Sequence, residues 1–348
     1  MEPIISLQEV SKEFKVLNRH EGLKGSIQDL FSRDYKIVKA VNQVSMDIMP
    51  GEIVGYLGPN GAGKSTTIKM MTGVLEPTSG MIVCNGIVPY RKRSQNAQNI
   101  GVVFGQRSQL WWALPAIESF QILKDIYQVE EQAYKDMMEL YATIVDMEGL
   151  MHKPVRQMSL GQRTLCDILA SFLHNPCVVF LDEPTIGLDV AMKAKIRELI
   201  KALNQEKHTT IILTTHDMGD VDALCQRIAI IDKGSKLYDN DIEHLTELFG
   251  SYRTLSLSLL KKAEQTDKQK LEQMVSSVTA ILEKEWKEPG AFAVNEREGQ
   301  IEILINESVA NVVQVMNAIQ KVHNIYDMRL MEISTESVIR KIYEGGIA

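Results

Sequence analysis

Two short segments near the start of the chain alternate apolar and polar residues with the period of a β-strand. They are residues 4–10 and residues 44–48, and we predict that they pair as antiparallel strands. Between them, residues 17–39 carry scattered charges and apolar residues at near-helical spacing, which predicts a short amphipathic helix on an extended loop. Such a helix either packs on its own domain, which is the favoured interpretation, or contacts anionic lipid or a partner protein.

From residue 53 onward the pattern is that of strands alternating with helices. A strand at 53–57 leads through a glycine-rich turn into a helix, and apolar runs at 177–181 and 210–214 predict further buried strands. The helix between the last two has its apolar face at Ile196, Leu199, Ile200 and Leu203. Alternation of this kind implies an α/β fold with a mostly parallel sheet and helices on both faces.

Two regions depart from this alternation. Residues 115–173 are mainly helical, which predicts a helical insert inside the α/β domain. After Gly250 a second set of elements follows. Its strands are predicted at 255–259, 301–305 and 327–333, and its helices at 267–284, 308–321 and 336–343. We therefore predict two domains, residues 1–248 and a small C-terminal α+β domain at 249–348.

The composition narrows the class of protein. The chain has 348 residues, of which 45% are apolar and 24% charged, and this excludes disordered, collagen-like and disulfide-stapled classes. No apolar stretch approaches the roughly 18 residues of a membrane-spanning helix, and the first residues lack a signal-peptide pattern, so we expect a cytoplasmic protein. The four cysteines lack zinc-site spacing, and the net charge of −7 argues against general nucleic-acid binding.

A phosphate-binding pattern occupies the turn after the strand at 53–57. Its glycines let backbone N–H groups turn inward around an anion, and a helix N-terminus follows. We expect Lys64 to reach the terminal phosphates of a nucleotide and the Ser65 hydroxyl to ligate Mg²⁺. The residues expected to bind nucleotide here are Gly58, Pro59, Asn60, Gly61, Ala62, Gly63, Lys64, Ser65 and Thr66. The alternative is an ordinary glycine turn.

Two carboxylates follow the buried run at 178–181, where a parallel sheet presents its ligand-binding edge. We expect Asp182 to hold Mg²⁺, directly or through water. Glu183, one residue on, projects in a different direction from Asp182 and is suited to polarise a water for attack on the γ-phosphate. Such a general base typically raises the reaction rate by about 10²–10⁴-fold. Without the phosphate loop in the same chain, a simple capping carboxylate before Pro184 would be the better interpretation.

Taken together, the motifs occur in the order seen in the ATP-binding subunits of ABC transporters, which the chain resembles over about residues 4–245. Beyond the phosphate loop, the motifs that carry the resemblance are Met158-Ser159-Leu160-Gly161-Gln162, Leu181-Asp182-Glu183-Pro184-Thr185, Gly187-Leu188-Asp189 and His216. The resemblance implies a P-loop NTPase ABC cassette with a mostly parallel sheet core, an antiparallel β subdomain and a helical subdomain at about 115–173. It also implies a head-to-tail dimer, of identical or homologous chains, that holds two ATP molecules between its subunits.

The resemblance further implies roles for residues around the nucleotide. Ser159, Gly161 and Gln162, at the start of a helix, would cap the γ-phosphate bound by the other subunit, and Ser159 would at the same time be a helix cap. In this motif the family usually has glycine where this chain has Leu160. Gln106 would link Mg²⁺ and the attacking water to the transmembrane partner. His216 would contact the γ-phosphate.

Two further positions complete the expected site. Asp189 would communicate across the dimer and can also be a helix N-cap. Phe14 would stack on the adenine, with Tyr35 as a rival because the 17–39 insertion separates the first strands widely. The expected catalytic residues are Glu183, His216, Gln106 and Lys64, and the expected metal ligands are Ser65, Gln106 and Asp182.

Two adjacent tryptophans, Trp111 and Trp112, follow the glutamine in a predicted loop, so at least one should be exposed in a monomer. In the family this region receives the coupling helices of the membrane partner, although one Trp could equally belong to the core. A closer resemblance is to bacterial ATPases paired with ABC-2-type permeases, which implies export. It rests on Gly22-Leu23-Lys24-Gly25, Trp111-Trp112, Pro154-Val155-Arg156 and Thr185-Ile186-Gly187-Leu188-Asp189.

The expected protein is therefore the ATPase of a membrane transporter, peripheral on the cytoplasmic face of the cell membrane, with separate permease subunits as partners and no nucleic acid. The alternative is a soluble ABC ATPase that acts on nucleic acid or the ribosome. Such chains typically carry two cassettes or a long coiled-coil insertion, and this chain has neither. The C-terminal domain fits either a ligand-sensing regulatory domain or a dimer strut.

Overall fold

The computed structural model describes residues 2–17, 35–105, 108–248, 252–260, 267–288, 291–297, 299–332 and 335–343. The chain forms two units, residues 1–241 and residues 242–348. The division lies directly before the helix Ile242–Leu248 instead of after it, because this helix contacts the last helix of the chain. The site-bearing residues of the sequence motifs all belong to the first unit.

The first unit is built on a six-stranded sheet with strand order β5-β6-β7-β3-β8-β9. Its strands are β3 (Ile53–Leu57), β5 (Ile100–Phe104), β6 (Val178–Asp182), β7 (Thr210–Thr214), β8 (Arg227–Asp232) and β9 (Ser235–Asp241). Neighbouring strands pair in parallel, except that β9 is antiparallel to β8 at one edge. Every residue of β3 and β7 is buried, as expected for strands covered by helices on both faces. The predicted mostly parallel sheet is confirmed.

A three-stranded antiparallel sheet with order β2-β1-β4 packs beside the first. It consists of β1 (Ile5–Leu17), β2 (Tyr35–Ile48) and β4 (Ser79–Cys84). The predicted pairing of the first two strands is confirmed, with Ile5 opposite Ile48 and Leu7 opposite Met46. Alternating apolar residues of these strands share one core with the parallel sheet.

Both β1 and β2 are longer than predicted. Residues 35–39, which we predicted to lie outside the strands, belong to β2, where they are exposed and continue the ladder with β1. Because these residues bury little, no apolar alternation marked them as a strand. Most of the predicted amphipathic helix, residues 18–34, lies outside the described residues.

The helices of the first unit connect and cover the strands. They are α1 (Lys64–Met71), α2 (Arg93–Ala97), α3 (Ala116–Tyr127), α4 (Glu131–Ile144), α5 (Glu148–Met151), α6 (Leu160–Phe172), α7 (Val190–Lys207) and α8 (Met218–Leu224). Helices α3 to α6 form the predicted helical region. In the parts of the chain that the structure describes, no helix is both long and apolar enough to cross a membrane.

The second unit is an α+β domain, as predicted. Its elements are α9 (Ile242–Leu248), β10 (Tyr252–Ser258), α10 (Lys268–Glu285), β11 (Phe292–Arg297), β12 (Gln300–Asn306), α11 (Val312–Gln320), β13 (Asp327–Glu332) and α12 (Thr335–Tyr343). The strands form an antiparallel sheet with order β11-β12-β10-β13. From β10 to β13 the chain order is βαββαβ, the ferredoxin-like arrangement. One face of this sheet packs on α10 and α11.

Candidate active site

The phosphate-binding pattern forms the turn between β3 and α1, as predicted. Gly63 immediately precedes α1 with a φ of 105°, a conformation that residues with a side chain rarely adopt. A Cβ on Gly63 would lie 2.3 Å from the carbonyl oxygen of Ala40, and one on Gly58 would lie 2.5 Å from that of Ile231. The turn therefore needs glycine at these positions, because its backbone passes directly against two other backbone segments.

Lys64 begins α1, and its side chain folds back over the turn. Its Nζ donates hydrogen bonds to the carbonyl oxygens of Gly58, at 2.6 Å, and Pro59, at 3.2 Å. Burial lowers the pKa of Lys64, and the nearby carboxylates of Glu183 and Asp182 oppose that shift. The site thus holds an ammonium group close to two carboxylates and beside a helix N-terminus with no side-chain cap.

A cavity of about 650 Å³ opens over this turn. It brings together most of the predicted phosphate-binding residues and the two carboxylates. The predicted residues that line it are Asn60, Gly61, Ala62, Gly63, Lys64, Ser65, Thr66, Asp182 and Glu183. Six other residues that were not predicted also line it, namely Ala40, Lys69, Val74, Phe104, Gly105 and Ile186. Most of these come from other elements, and only the fold shows that they are neighbours.

Asp182 and Glu183 are held by the end of the adjacent strand β7. In the register of the two parallel strands Asp182 lies beside Thr214, whose hydroxyl donates to Asp182 Oδ1. The backbone N–H of Glu183 donates to the carbonyl oxygen of Thr214 at 2.9 Å and contacts its hydroxyl oxygen at 3.1 Å. Glu183 has a φ of 52°, so its side chain departs from the direction of the strand. Thr214 was missed by sequence analysis.

His216 follows β7 and reaches the same carboxylate. Its Nδ1 lies 3.4 Å from Glu183 Oε1. Its side chain is 65% exposed, whereas that of Glu183 is 26% exposed. The two predicted catalytic residues are therefore neighbours, with the imidazole on the solvent side of the carboxylate.

A buried carboxylate connects the two segments that follow β6 and β7. Asp220, on α8, is fully buried and accepts hydrogen bonds from the hydroxyls of Thr185 at 2.5 Å and Thr215 at 2.9 Å. Arg197, on α7, donates from Nε to the same carboxylate at 2.7 Å. Since Thr185 and Thr215 each lie close in sequence to a predicted catalytic residue, this network links the two segments that carry Glu183 and His216. Asp220 was not predicted, because nothing in the sequence around it marks it as a site residue.

Ser159 and Gln162 form a capping box at the start of α6. The Ser159 hydroxyl accepts from the N–H of Gln162 at 3.2 Å, and Gln162 Oε1 accepts from the N–H of Ser159 at 3.1 Å. Gly161 is buried, and a Cβ there would lie 2.4 Å from Met192 of the same chain. Leu160 is exposed beside them. None of these residues lines the cavity over the phosphate loop.

The remaining predicted positions lie outside that cavity. Asp189 caps α7 by accepting from the N–H of Met192 at 2.9 Å, which is the capping role that the sequence suggested. Phe14 is exposed on β1, with the ammonium of Lys12 5.5 Å from its ring centre, and Tyr35 is exposed at the start of β2. Gln106 lies outside the described residues, although its neighbour Gly105 lines the cavity.

Trp111 and Trp112 are both exposed, at 38% and 57% respectively. The prediction that at least one would be exposed is therefore confirmed, and neither is a core residue. The loop that carries them is hydrogen-bonded, since the N–H of Trp111 donates to Ser119 Oγ at 3.2 Å and the carbonyl of Trp112 accepts from Arg156 at 3.0 Å. The guanidinium of Arg163 lies 5.5 Å from the Trp112 ring centre.

A second cavity in the first unit, of about 320 Å³, lies between the segment that follows β5 and helix α6. Asp167 of α6 lines it and accepts hydrogen bonds from Ser108 Oγ at 2.9 Å and from the N–H of Gln109 at 3.0 Å. Burial raises the pKa of Asp167 to about 6, although these hydrogen bonds and Arg163 work in the opposite direction. The carboxyl group of Asp167 thus links helix α6 to Ser108 and Gln109, which follow Gln106 in the chain.

Comparisons with known proteins agree with these motifs. Residues 41–186 match the sequence profile described as ABC transporter. The chain is 35% identical over 217 residues to the ABC transporter ATP-binding protein NatA of Bacillus subtilis, which covers 62% of this chain and 88% of NatA. It is 34% identical over 246 residues to human ATP-binding cassette sub-family A member 9, but this covers only 14% of that longer protein and 69% of this chain.

Solved structures share the fold. The cassette cbiO1 from Clostridium perfringens, part of the ABC transporter complex cbiONQ, aligns with a TM-score of 0.57 and 22% identity over 81% of this chain and 100% of its own. The bacterial ABC transporter cassette MJ0796, solved as a dimer, aligns with a TM-score of 0.54 and 25% identity over 68% of this chain and 98% of its own.

Proposed function

Because this chain belongs to the ATP-hydrolysing subunits of ABC transporters, we propose that the cavity over Gly58–Thr66 is its catalytic site and that Glu183 is its general base. The observation that carries the proposal is the convergence of Lys64, Asp182 and Glu183 on one cavity. Their charges suit a substrate that is anionic and whose terminal phosphate is attacked by water. The family couples such hydrolysis to transport.

The phosphate groups of ATP are bound by the turn and the start of α1. Lys64 Nζ donates hydrogen bonds to two carbonyl oxygens of the turn, so its side chain is already ordered before ATP binds. Binding of the phosphates therefore costs little further side-chain entropy. Its three donors are not exhausted by these two acceptors. The N-terminus of α1, where Gly63 offers no capping side chain, presents N–H groups to the same anion.

The donors in the cavity fit Mg²⁺. The Ser65 hydroxyl and the Asp182 carboxylate both line it and are hard oxygen ligands, and Mg²⁺ in phosphate sites takes only one or two protein ligands. Thr214 donates to Oδ1 of Asp182, which orients the carboxylate. Held by Ser65 and Asp182, Mg²⁺ would supply positive charge that offsets the charge developing on the phosphate groups during hydrolysis. Gln106 remains a further proposed ligand from the sequence.

The hydrolytic step rests on Glu183 and His216. The bonds from the backbone of Glu183 to Thr214 and its φ of 52° hold the carboxylate in the cavity, where it orients a water and accepts its proton. His216, 3.4 Å from that carboxylate, would contact the γ-phosphate from the solvent side. The network on Asp220 keeps the two segments together.

The catalytic site is completed by a second cassette. Ser159 and Gln162 lie at the N-terminus of α6, a favourable position for an anion, but outside the cavity of their own chain. We propose that they contact the γ-phosphate bound by the partner in a head-to-tail dimer, identical or homologous, and that Asp189 links the two sites. Phe14, exposed on β1, is the proposed adenine contact.

The membrane partner is proposed to bind at Trp111 and Trp112. Two exposed tryptophans on one ordered loop are unusual for a free surface and typical of interface anchors. The partner would be a separate permease, and the ATPase would lie at the cytoplasmic face of the membrane and drive export. The soluble alternative, an ATPase acting on nucleic acid or the ribosome, is not favoured, because the named relatives are transporter subunits.

The Glu183→Gln variant tests the catalytic proposal. We expect the rate of ATP hydrolysis by the purified full chain to fall by about 10²-fold or more, because the amide cannot accept the proton, while ATP affinity stays within about threefold. Phosphate release and equilibrium binding of a fluorescent ATP analogue measure the two quantities. With ATP bound and not hydrolysed, the variant should also elute as a dimer in gel filtration.

The matched control is Glu206→Gln, which makes the same change at an exposed carboxylate on α7. It should leave hydrolysis, ATP affinity and elution volume unchanged. A Glu183→Gln protein that hydrolyses ATP at the wild-type rate would remove Glu183 from its role. A hydrolysis-deficient variant that stays monomeric with ATP would contradict only the dimer proposal.

A further inference from the structure

The second unit contains a cavity of about 240 Å³. It lies on the face of the four-stranded sheet opposite the apolar core, since Thr254 lines it while the next residue, Leu255, faces α10 and α11. Ser337 and Arg340 of α12 line it from the other side. The cavity therefore lies between a sheet and a helix of one domain.

Thr254 leaves an unsatisfied group in this cavity. The residue is only 7% exposed, and within the described part of the chain its hydroxyl oxygen has no hydrogen-bond partner. Its neighbours across the sheet are Leu304 on β12 and Met331 on β13, which offer no side-chain partner. A buried hydroxyl without a partner is costly, and such groups commonly await a ligand or an ordered water.

Charged residues of both signs line the same cavity. Arg297, at the end of β11, and Arg340, on α12, line the cavity and can bind a carboxylate in bidentate fashion. Ser337 lies in the first turn of α12, three residues before Arg340 and on the same helix face, where the helix dipole also favours an anion.

Glu302, on β12, is the one acidic residue among the described lining residues. It is half-buried, and its carboxylate has no ion pair or hydrogen bond with any described residue. A half-buried carboxylate of this kind attracts a positively charged donor. The same carboxylate would repel a purely anionic ligand, and the two arginines would repel a purely cationic one.

We propose that this cavity binds a small zwitterion with the chemistry of a free α-amino acid. The guanidinium groups of Arg297 and Arg340 bind its carboxylate, Glu302 binds its ammonium group, and the Thr254 hydroxyl completes the polar contacts. Ala293 and Leu304 provide an apolar wall for a side chain. The volume corresponds to about eight water-sized groups, which restricts the ligand to a small one. This inference is independent of the catalytic proposal for the first unit.

The test uses ligand-observed saturation-transfer NMR on the full chain with each of the proteinogenic L-amino acids in turn, followed by calorimetric titration of any that bind. Succinate and putrescine are included as a dianion and a dication of similar size. We expect at least one amino acid to bind and neither control compound to do so. No amino acid binding, or succinate binding as tightly as the best amino acid, would overturn the proposal.

Three variants locate the binding. Glu302→Gln and Arg340→Gln should each weaken the amino acid about tenfold, because each removes a charge-assisted hydrogen bond. Thr254→Val replaces an unpartnered hydroxyl by a methyl group, so it should weaken binding several-fold while the urea midpoint stays the same or rises. Glu283→Gln, an exposed carboxylate on α10, is the control and should leave affinity unchanged. Affinity that is insensitive to the first three variants would overturn the assignment of this cavity.

Discussion

Several single residues around the active site are held in states that would be unfavourable in an isolated peptide. Lys64 carries a buried ammonium group, and Glu183 has a left-handed backbone conformation. Asp167 is a buried carboxyl whose pKa burial raises from 3.8 to about 6. Each state persists because surrounding backbone groups or hydroxyls donate or accept hydrogen bonds. For Asp167, the free-energy cost of burying the ionised carboxyl can be measured by changing the pH.

Replacing Asp167 by Asn should remove a pH dependence of stability. Because the pKa of Asp167 is higher in the folded chain, its stabilising contribution is complete below pH 4 and is lost as the pH rises through 6. The difference corresponds to on the order of 3 kcal/mol. The Asn variant should therefore gain stability relative to the wild type between pH 5 and pH 8, as measured by urea midpoints. Equal midpoint differences at both pH values would show that the carboxyl is not titrating in this range.

At the scale of elements, one buried carboxylate joins the segments that follow β6 and β7. The first segment carries Glu183 and the second carries His216, and neither residue lies in a helix or a strand. The carboxylate of Asp220 joins them through the hydroxyls of Thr185 and Thr215, and Arg197 ties both to α7. The segments that carry Glu183 and His216 are thus held together by a hydrogen-bond network outside the cavity.

Thr185→Val keeps the shape of the side chain and removes its hydroxyl. We expect a loss of about 2 kcal/mol in stability, because a buried hydrogen bond to a carboxylate is broken. We also expect kcat to fall several-fold with little change in ATP affinity, because the loop after Glu183 loses its tie to the His216 segment. Steady-state ATPase kinetics and urea unfolding measure the two effects.

Thr209→Val is the matched control for that prediction. Thr209 and Thr185 are each 2% exposed, and Thr209 donates its hydroxyl to the carbonyl of Pro176 at 3.2 Å, away from the cavity. It should lower stability without lowering kcat. If both variants reduce kcat equally, the network stabilises the fold and does not position the catalytic residues.

At the scale of the whole molecule, the proposed nucleotide cavity of the first unit and the exposed loop of Trp111 and Trp112 share no residue. The exposed tryptophans directly precede the helical region, which contains Asp167 and the start of α6. A membrane protein bound there would contact the region that carries the proposed contacts to the partner cassette. Binding of permease and closure of the dimer would then be linked through α6.

Affinity purification of tagged Glu183→Gln protein from native membranes, in mild detergent with MgATP, tests this assignment. We expect recovery of one or two polytopic membrane proteins, identified by mass spectrometry. Replacing Trp111 and Trp112 together by Ala should lower that recovery about tenfold, as for interface hot spots, without changing ATP binding. Ile126→Ala, at an exposed apolar side chain on α3, is the control. Recovery of only ribosomal or nucleic-acid-associated proteins would contradict transport.

Much of the fold could be predicted from the sequence. The buried strands β3, β6 and β7 and the amphipathic helix α7 were predicted because burial imposes a pattern on apolar residues, whereas the buried strands β5 and β8 were not predicted. The extension of β2 over 35–39 was missed, because an exposed ladder needs backbone pairing but no apolar pattern. In the site, Asp220 and Thr214 were missed because their roles depend on partners distant in sequence.

By itself, the sequence determined the phosphate-binding turn, the two carboxylates after a buried strand and the family. Those features are local, since a few consecutive residues carry both the backbone geometry and the chemistry. Only the tertiary structure decided which side chains meet across elements, such as Glu183 with His216, or Thr254, Glu302 and Arg340 in the second unit. Such meetings depend on sheet order and helix placement, which the packing of the entire domain establishes.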